Sequence, residues 1–193
     1  MKIGFFISSS TVGGDYHQTL GLTNTINKVL KKNDEIVFLT DNKNNFDLLN
    51  SKEKKIYLFK RNLFDKIFFK ITVFINKFFF LKKKIKNPFE LFLDKHQINL
   101  IIFTSPTYYS LYCNNIDFVI SFWNTEIEKV KNYKEFRDGA YSYQKKIIDF
   151  AVEKSFRIFV TTQASVKDMI KNFKFTKKKI INSKFNALFT ITL

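Results

Sequence analysis

Ile116-Asp-Phe-Val-Ile-Ser-Phe-Trp123 reads as a buried strand, and the segments on its carboxyl side decide the fold. A polar excursion through Asn124–Gly139 leads into an amphipathic helix over Tyr141–Lys154. A second apolar strand, Arg157-Ile-Phe-Val-Thr-Thr162, runs into a capped helix over Gln163–Asn172 and a basic, β-prone segment, Lys177–Asn182. Strands that alternate with segments of helical period form βα units on a parallel sheet. In such sheets ligands meet the carboxyl ends of the strands. Two such ends, Trp123–Glu126 and Thr161–Ser165, fall inside this stretch.

The rest of the chain repeats the alternation. Lys2–Ile7, Glu35–Thr40, Lys55–Phe59 and Asn99–Thr104 read as strands, and Tyr16–Lys32, Phe46–Leu49 and Pro88–Lys95 as helices. The expected fold is a single α/β, Rossmann-like domain over residues 1–182 with a mostly parallel sheet flanked by helices; residues 183–193 read as a linker or tail. Between strand one and its helix, Ser8–Asp15 carries Gly13-Gly14 at its tip. Backbone amides there can receive an anion or a sugar hydroxyl; the plainer role is a tight turn with positive φ. His17, at the helix entrance, can reach over the strand tips or simply sit at the surface.

Composition narrows the function classes. The 193 residues are 45% hydrophobic, enough for one well-buried core. A lone cysteine, Cys113, excludes an internal disulfide and fits a reducing, cytoplasmic setting. No stretch has the make-up of a secretory signal, and no run approaches the roughly 20 apolar residues of a spanning helix. The formal charge of +16 invites a nucleic-acid reading, yet Arg61, Arg137 and Arg157 are the only arginines. Readers of bases lean on the arginine fork, and no zinc spacing, helix-turn-helix or RNA-recognition pattern is present, so nucleic acid is not the expected partner. No metal-ligand spacing occurs, and no metal or cofactor is expected.

Residues 62–86 differ from the surrounding units. Leu63, Ile67, Ile71, Phe74, Phe78 and Leu81 share one helical stripe, interrupted by Lys66, Lys70 and Lys77, with Asp65 the only acid. Two readings stay open. The helix packs this stripe on the sheet and turns its lysines to solvent, or it lies on an anionic membrane with Phe74 and Phe78 down and Lys66, Lys70 and Lys77 toward headgroups. The second reading supports an alternative function, a non-catalytic peripheral membrane module at the inner face of the membrane. Farther on, Tyr108, Tyr109 and Tyr112 form a segment whose rings either floor a sugar pocket or pack half-buried between helices.

The order of the pieces carries a resemblance. A polar loop after a strand, Tyr141-x-Tyr143 opening a helix, and then Ala151-Val-Glu-Lys-Ser-Phe-Arg-Ile-Phe-Val-Thr-Thr-Gln-Ala-Ser-Val-Lys-Asp168 resemble the end of the N-terminal domain of family 4 glycosyltransferases. Lys178-Lys-Ile-Ile-Asn182 is similar to that family's Lys-x-Ile strand, and Met1–Leu30 to its first βα unit. The resemblance covers most of residues 1–182 and is weakest over residues 49–99. It implies one half of a two-lobed GT-B enzyme that transfers a sugar from a nucleotide-sugar donor to a glycan or lipid-linked acceptor. In that family the N-terminal lobe binds mainly the acceptor. The donor lobe, with its Glu-x7-Glu motif, would begin where this chain stops at Leu193, so a separate C-terminal lobe is an expected partner and the chain alone is expected to be inactive. The family's loop glycines map onto Gly13 and Gly14, beside His17, and its acceptor cleft onto Trp123, Asn124 and Glu126. Many members carry His-Asp where Trp123-Asn124 stands here, so no catalytic residue is carried over, although Asn124 can still donate and accept hydrogen bonds.

Overall fold

A computed structural model describes residues 1–7, 21, 34–50, 55–60, 62–78, 84–122 and 139–182. Among the described residues, seven strands form one sheet: β1 (Lys2–Ile7), β2 (Glu35–Thr40), β3 (Ile56–Leu58), β4 (Leu100–Phe103), β5 (Asp117–Phe122), β6 (Arg157–Val160) and β7 (Ile180–Asn182). Their spatial order is β3-β2-β1-β4-β5-β6-β7, and every pairing is parallel. The expected doubly wound domain is therefore present, fully rather than mostly parallel. The chain winds outward from β1 to β3, then returns to lay β4 on the other side of β1. That reversal opens a crevice at the carboxyl ends of β1 and β4.

Apolar runs such as Ile3–Ile7 and Ile101–Phe103 suit strands buried on both faces. On one face Phe5, Ile7, Phe38, Ile102 and Val119 form a core with Phe46 of α1 (Lys43–Asn50) packed against it. The other face holds the larger core beneath α3 (Pro88–Lys95), α4 (Ala140–Lys154) and α5 (Gln163–Phe173). Phe6 centres it, 4.7 Å from the Tyr109 ring and 5.5 Å, edge-on, from Phe89. Gly4 is required by close approach: a Cβ there would come within 2.7 Å of Leu39 Cδ1.

Helix starts explain two boundaries. Asn87 caps α3, its Oδ1 accepting from the amides of Phe89 and Glu90, while the Glu90 carboxylate accepts from the Asn87 amide. This is a reciprocal capping box, with Pro88 in the first turn. Thr162, not Ser165, caps α5: its Oγ1 accepts from the Ser165 amide at 3.0 Å. Ser165-Val-Lys-Asp168 has the spacing of a capping box in sequence but lies one turn inside the helix. Helical spacing puts Val166, Met169, Ile170 and Phe173 on one buried side; Val166, Met169 and Phe173 do face the core, but Ile170 is exposed.

The largest departure is α2 (Leu63–Phe78), the described part of the expected 62–86 helix. It meets the rest of the chain through Phe69 and Thr72, both buried, and through Asn76, which donates to the Ile85 carbonyl at 2.9 Å and accepts from the Ile85 amide at 2.8 Å. Phe69 packs on Tyr112 with ring centroids 4.1 Å apart, and Thr72 donates to the Phe69 carbonyl. The apolar stripe points the other way. Phe64 is 80% exposed, Leu63 68%, Phe78 60% and Phe74 58%. Packing of the stripe on the sheet is thereby overturned: Phe69 lies on the opposite side of the helix cylinder, and Thr72 just beyond the stripe's edge.

Candidate functional site

A cavity of about 880 Å³ opens where the sheet's carboxyl edge meets α2. Part of its lining comes from segments that follow three of the strands. Asp41 follows β2, Tyr108, Tyr109 and Tyr112 follow β4, and Tyr143 stands in the first turn of α4 beyond β5. The remaining wall is α2, through Leu63, Lys66, Ile67, Phe69 and Lys70. These positions place the cavity at the crevice that the strand order creates. Its volume falls within the range of small-molecule sites, and apolar walls with a few polar groups are their usual make-up.

The tyrosines sit on a short 3-10 turn, Tyr108–Tyr112. Two groups hold that turn. Ser110 donates from its hydroxyl to the Thr107 carbonyl at 2.7 Å. Asn87 Nδ2 donates to the Tyr112 carbonyl at 2.6 Å. Asn87 is itself fixed by Glu90, which also accepts from the amides of Asn114 and Asn115 at 2.7 and 2.6 Å. One buried carboxylate thus ties the start of α3 to the loop that launches β5. The rings differ in depth. Tyr109 and Tyr112 are buried, whereas Tyr108 and Tyr143 are each 39% exposed and lie parallel, centroids 6.3 Å apart. Lys146 Nζ stands 5.9 Å over Tyr108. Burial raises the Tyr143 phenol above its ordinary range, so it stays a neutral hydrogen-bonding group at physiological pH.

Chemically, the cavity offers flat aromatic faces, phenol hydroxyls, one carboxylate and two ammonium groups. That set suits a polyhydroxylated ring bearing or approaching a negative charge. Among the described residues, no group of three or more His, Cys, Asp or Glu side chains could hold a metal ion.

The structure brings together only part of the expected site. Lys66 and Lys70 both line the cavity, and Phe74 and Phe78 continue the outward stripe in ring contact at 4.6 Å. Gly13, Gly14 and His17 lie outside the described residues, as do Trp123, Asn124 and Glu126 and the side chain of Lys77. Sequence reasoning missed three contributors. Asp41 opens a polar connection and Tyr143 falls on the inward row of its helix with Ile147 and Ala151, neither of which points to a site, and Glu90 is read only as part of the Pro88–Lys95 helix. Only Glu90 had a usable signal, the Asn87-Pro-Phe-Glu90 spacing of a capping box.

No protein-family model matches the chain, and no curated protein does. Solved structures match. HepE from Anabaena, crystallised in complex with UDP-glucose, superposes with a TM-score of 0.61 at 12% identity. The likeness is one of fold. The match covers 94% of this chain and 43% of HepE. UDP-GlcNAc 2-epimerase from Methanocaldococcus jannaschii gives a TM-score of 0.52 at 12% identity, over 94% of this chain and 45% of its own. The chain therefore spans under half the length of either protein, and its single parallel-sheet domain corresponds to a Rossmann-like half of the GT-B architecture.

Proposed function

We propose that this chain is the acceptor-side half of a family 4-like glycosyltransferase. It holds a glycan or lipid-linked acceptor while a nucleotide-sugar is presented mainly by another lobe. The observation that carries this reading is the tyrosine-lined cavity at the sheet's reversal point, with Lys66 and Lys70 on its outer wall. Support comes also from the fold, since HepE was crystallised with UDP-glucose and the similar epimerase is named for UDP-GlcNAc.

In this reading the acceptor ring lies against the exposed edge of the Tyr108–Tyr143 pair, whose 6.3 Å separation leaves no room for a sugar between them, and the Tyr108 hydroxyl and Asp41 take its hydroxyl groups. Lys66 and Lys70 neutralise a phosphate on the acceptor. Gly13, Gly14 and His17 follow β1 in sequence, and Trp123, Asn124 and Glu126 follow β5; the reading extends the acceptor contacts to these residues by the resemblance alone. Half of a cleft cannot hold donor and acceptor at reacting distance, so the chain alone does not turn over.

Saturation-transfer NMR on the full chain, with the methyl glycosides of glucose, galactose and N-acetylglucosamine as probes, tests the reading. Transfer to the sugar-ring protons is expected for at least one glycoside and should vanish in Tyr108→Ala, whose side chain is exposed enough to be dispensable for folding. Absence of transfer to all three, or equal transfer in the variant, overturns the assignment. Product formed from UDP-glucose by the purified chain would contradict its inactivity alone.

A further inference from the structure

We infer that α2 docks the chain on an anionic lipid surface, its outward stripe immersed at the headgroup boundary. The helix spans 16 residues, about 24 Å at 1.5 Å per residue. Leu63, Phe64, Ile67, Phe68, Ile71, Phe74 and Phe78 are all exposed. At roughly 100° per residue they fill one arc of about 140°. Phe69 and Asn76, which fasten the helix to the domain through the Tyr112 ring and the Ile85 backbone, lie on the far side of that arc, with buried Thr72 between its edge and them. The helix is therefore held by one side and offers the other.

Two features select a lipid surface over a protein partner. The first is charge. Lys66 and Lys70 border the apolar arc and are exposed, and the chain as a whole carries a formal charge of +16. The acid within the helix, Asp65, is engaged at its start, where it accepts from the Asn62 amide and its own amide donates to Asn62 Oδ1. A basic border beside an apolar arc matches headgroups above acyl chains, with lysine stems lying along the boundary. The second is the shape of the arc: outside the two residues that also line the cavity, Phe64, Phe68, Ile71, Phe74 and Phe78 project from a single helix and make a ridge. A ridge inserts into a fluid layer without needing a matching groove. Among the described residues no helix is long and apolar enough to cross a membrane, so the contact is with one leaflet.

The docking stands whether or not the cavity takes a sugar. Its geometry does bear on access, because Leu63, Lys66, Ile67 and Lys70 belong both to this helix and to the cavity wall. A ligand anchored in the same leaflet would meet the cavity from the lipid side.

Flotation of the full chain with vesicles tests the inference, using phosphatidylcholine alone and an equal mixture with phosphatidylglycerol. The expected result is strong binding to the mixed vesicles that weakens with added salt. Lys66→Glu with Lys70→Glu should lower it about tenfold or more, and Phe74→Asp with Phe78→Asp by a similar factor or greater. All four side chains are exposed, so the melting temperatures of both variants should match the parent, and a thermal melt checks this. Equal flotation of parent and variants overturns the inference, as does binding indifferent to lipid charge. A parent that ignores vesicles but is dimeric by light scattering, and becomes monomeric in Phe74→Asp/Phe78→Asp, assigns the ridge to a second copy and also overturns it.

Discussion

Replacing Glu90 by glutamine should destabilise the whole domain while leaving its size and shape unchanged. The carboxylate is 2% exposed and satisfies donors on both oxygens. Oε1 accepts from the amides of Asn114 and Asn115, and Oε2 from the Asn87 amide and from the Nδ2 groups of Asn87 and Asn115. A glutamine has one accepting oxygen and one NH2 group. Whichever way the amide is turned, its NH2 faces at least two N–H donors, which then lack an acceptor. Hydrogen bonds to a charged group contribute about 1.5–3 kcal/mol each, so two lost bonds cost about 3–6 kcal/mol. Part is recovered because a neutral amide is cheaper to bury than a carboxylate, leaving a net loss of about 3 kcal/mol. For a domain of this length that corresponds to a fall in Tm of about 6–12 °C. Thermal unfolding followed by circular dichroism measures it. The near-ultraviolet signal should change too, since Asn87 also holds the Tyr112 carbonyl. A Tm within about 2 °C of the parent would refute the view that Glu90 fastens the tyrosine turn to the helix behind it.

Gly4→Ala should cost about 1–3 kcal/mol through overpacking, because the new methyl would approach Leu39 Cδ1 to 2.7 Å and Ile98 Cγ2 to 3.1 Å; urea unfolding at constant m-value checks it. His96 is stacked on Tyr57 at 3.9 Å, and burial, with the charges of Lys95 and Lys2, holds its imidazole below the ordinary 6.5. The unfolded chain then takes up this proton first, so stability is complete above that value and declines as the pH falls below it. Denaturation at pH 7.5 and about pH 5.5 should show a decline that His96→Gln lessens. Cys113 is fully enclosed, and burial, reinforced by the Glu90 charge, raises its thiol well above the ordinary range. A disulfide reagent should therefore label the native chain only as fast as it opens; immediate labelling in native buffer would contradict the packing.

Strand composition made most of the fold legible. Runs such as Ile101–Phe103 and Phe118–Ile120 are apolar on every residue, which only a strand covered on both faces tolerates, and alternation with helical segments then implies parallel pairing. Strand ends were overestimated: Thr161 and Thr162 read as strand but lead into α5, because Thr162 is spent on its cap. Residues 62–86 were legible as an amphipathic helix but not in orientation. A stripe of leucine, isoleucine and phenylalanine reads the same whether it faces a sheet or the outside, and only the contact of Phe69 with Tyr112 distinguishes the two. The candidate site was half legible. Tyr108, Tyr109 and Tyr112 advertise themselves by clustering after a strand. Asp41 and Tyr143 do not, because their meeting depends on strand order, and local sequence does not encode which strand end lies beside which.

The acceptor assignment is tested most directly by soaking crystals of the full chain with octyl β-glucoside, whose sugar ring and short tail mimic the proposed ligand class. Electron density for the ring is expected against Tyr108 and Tyr143, with the tail running out along α2 past Ile67. Density for the glucoside only at other sites, or a cavity that stays free of it at saturating concentration, would contradict the assignment.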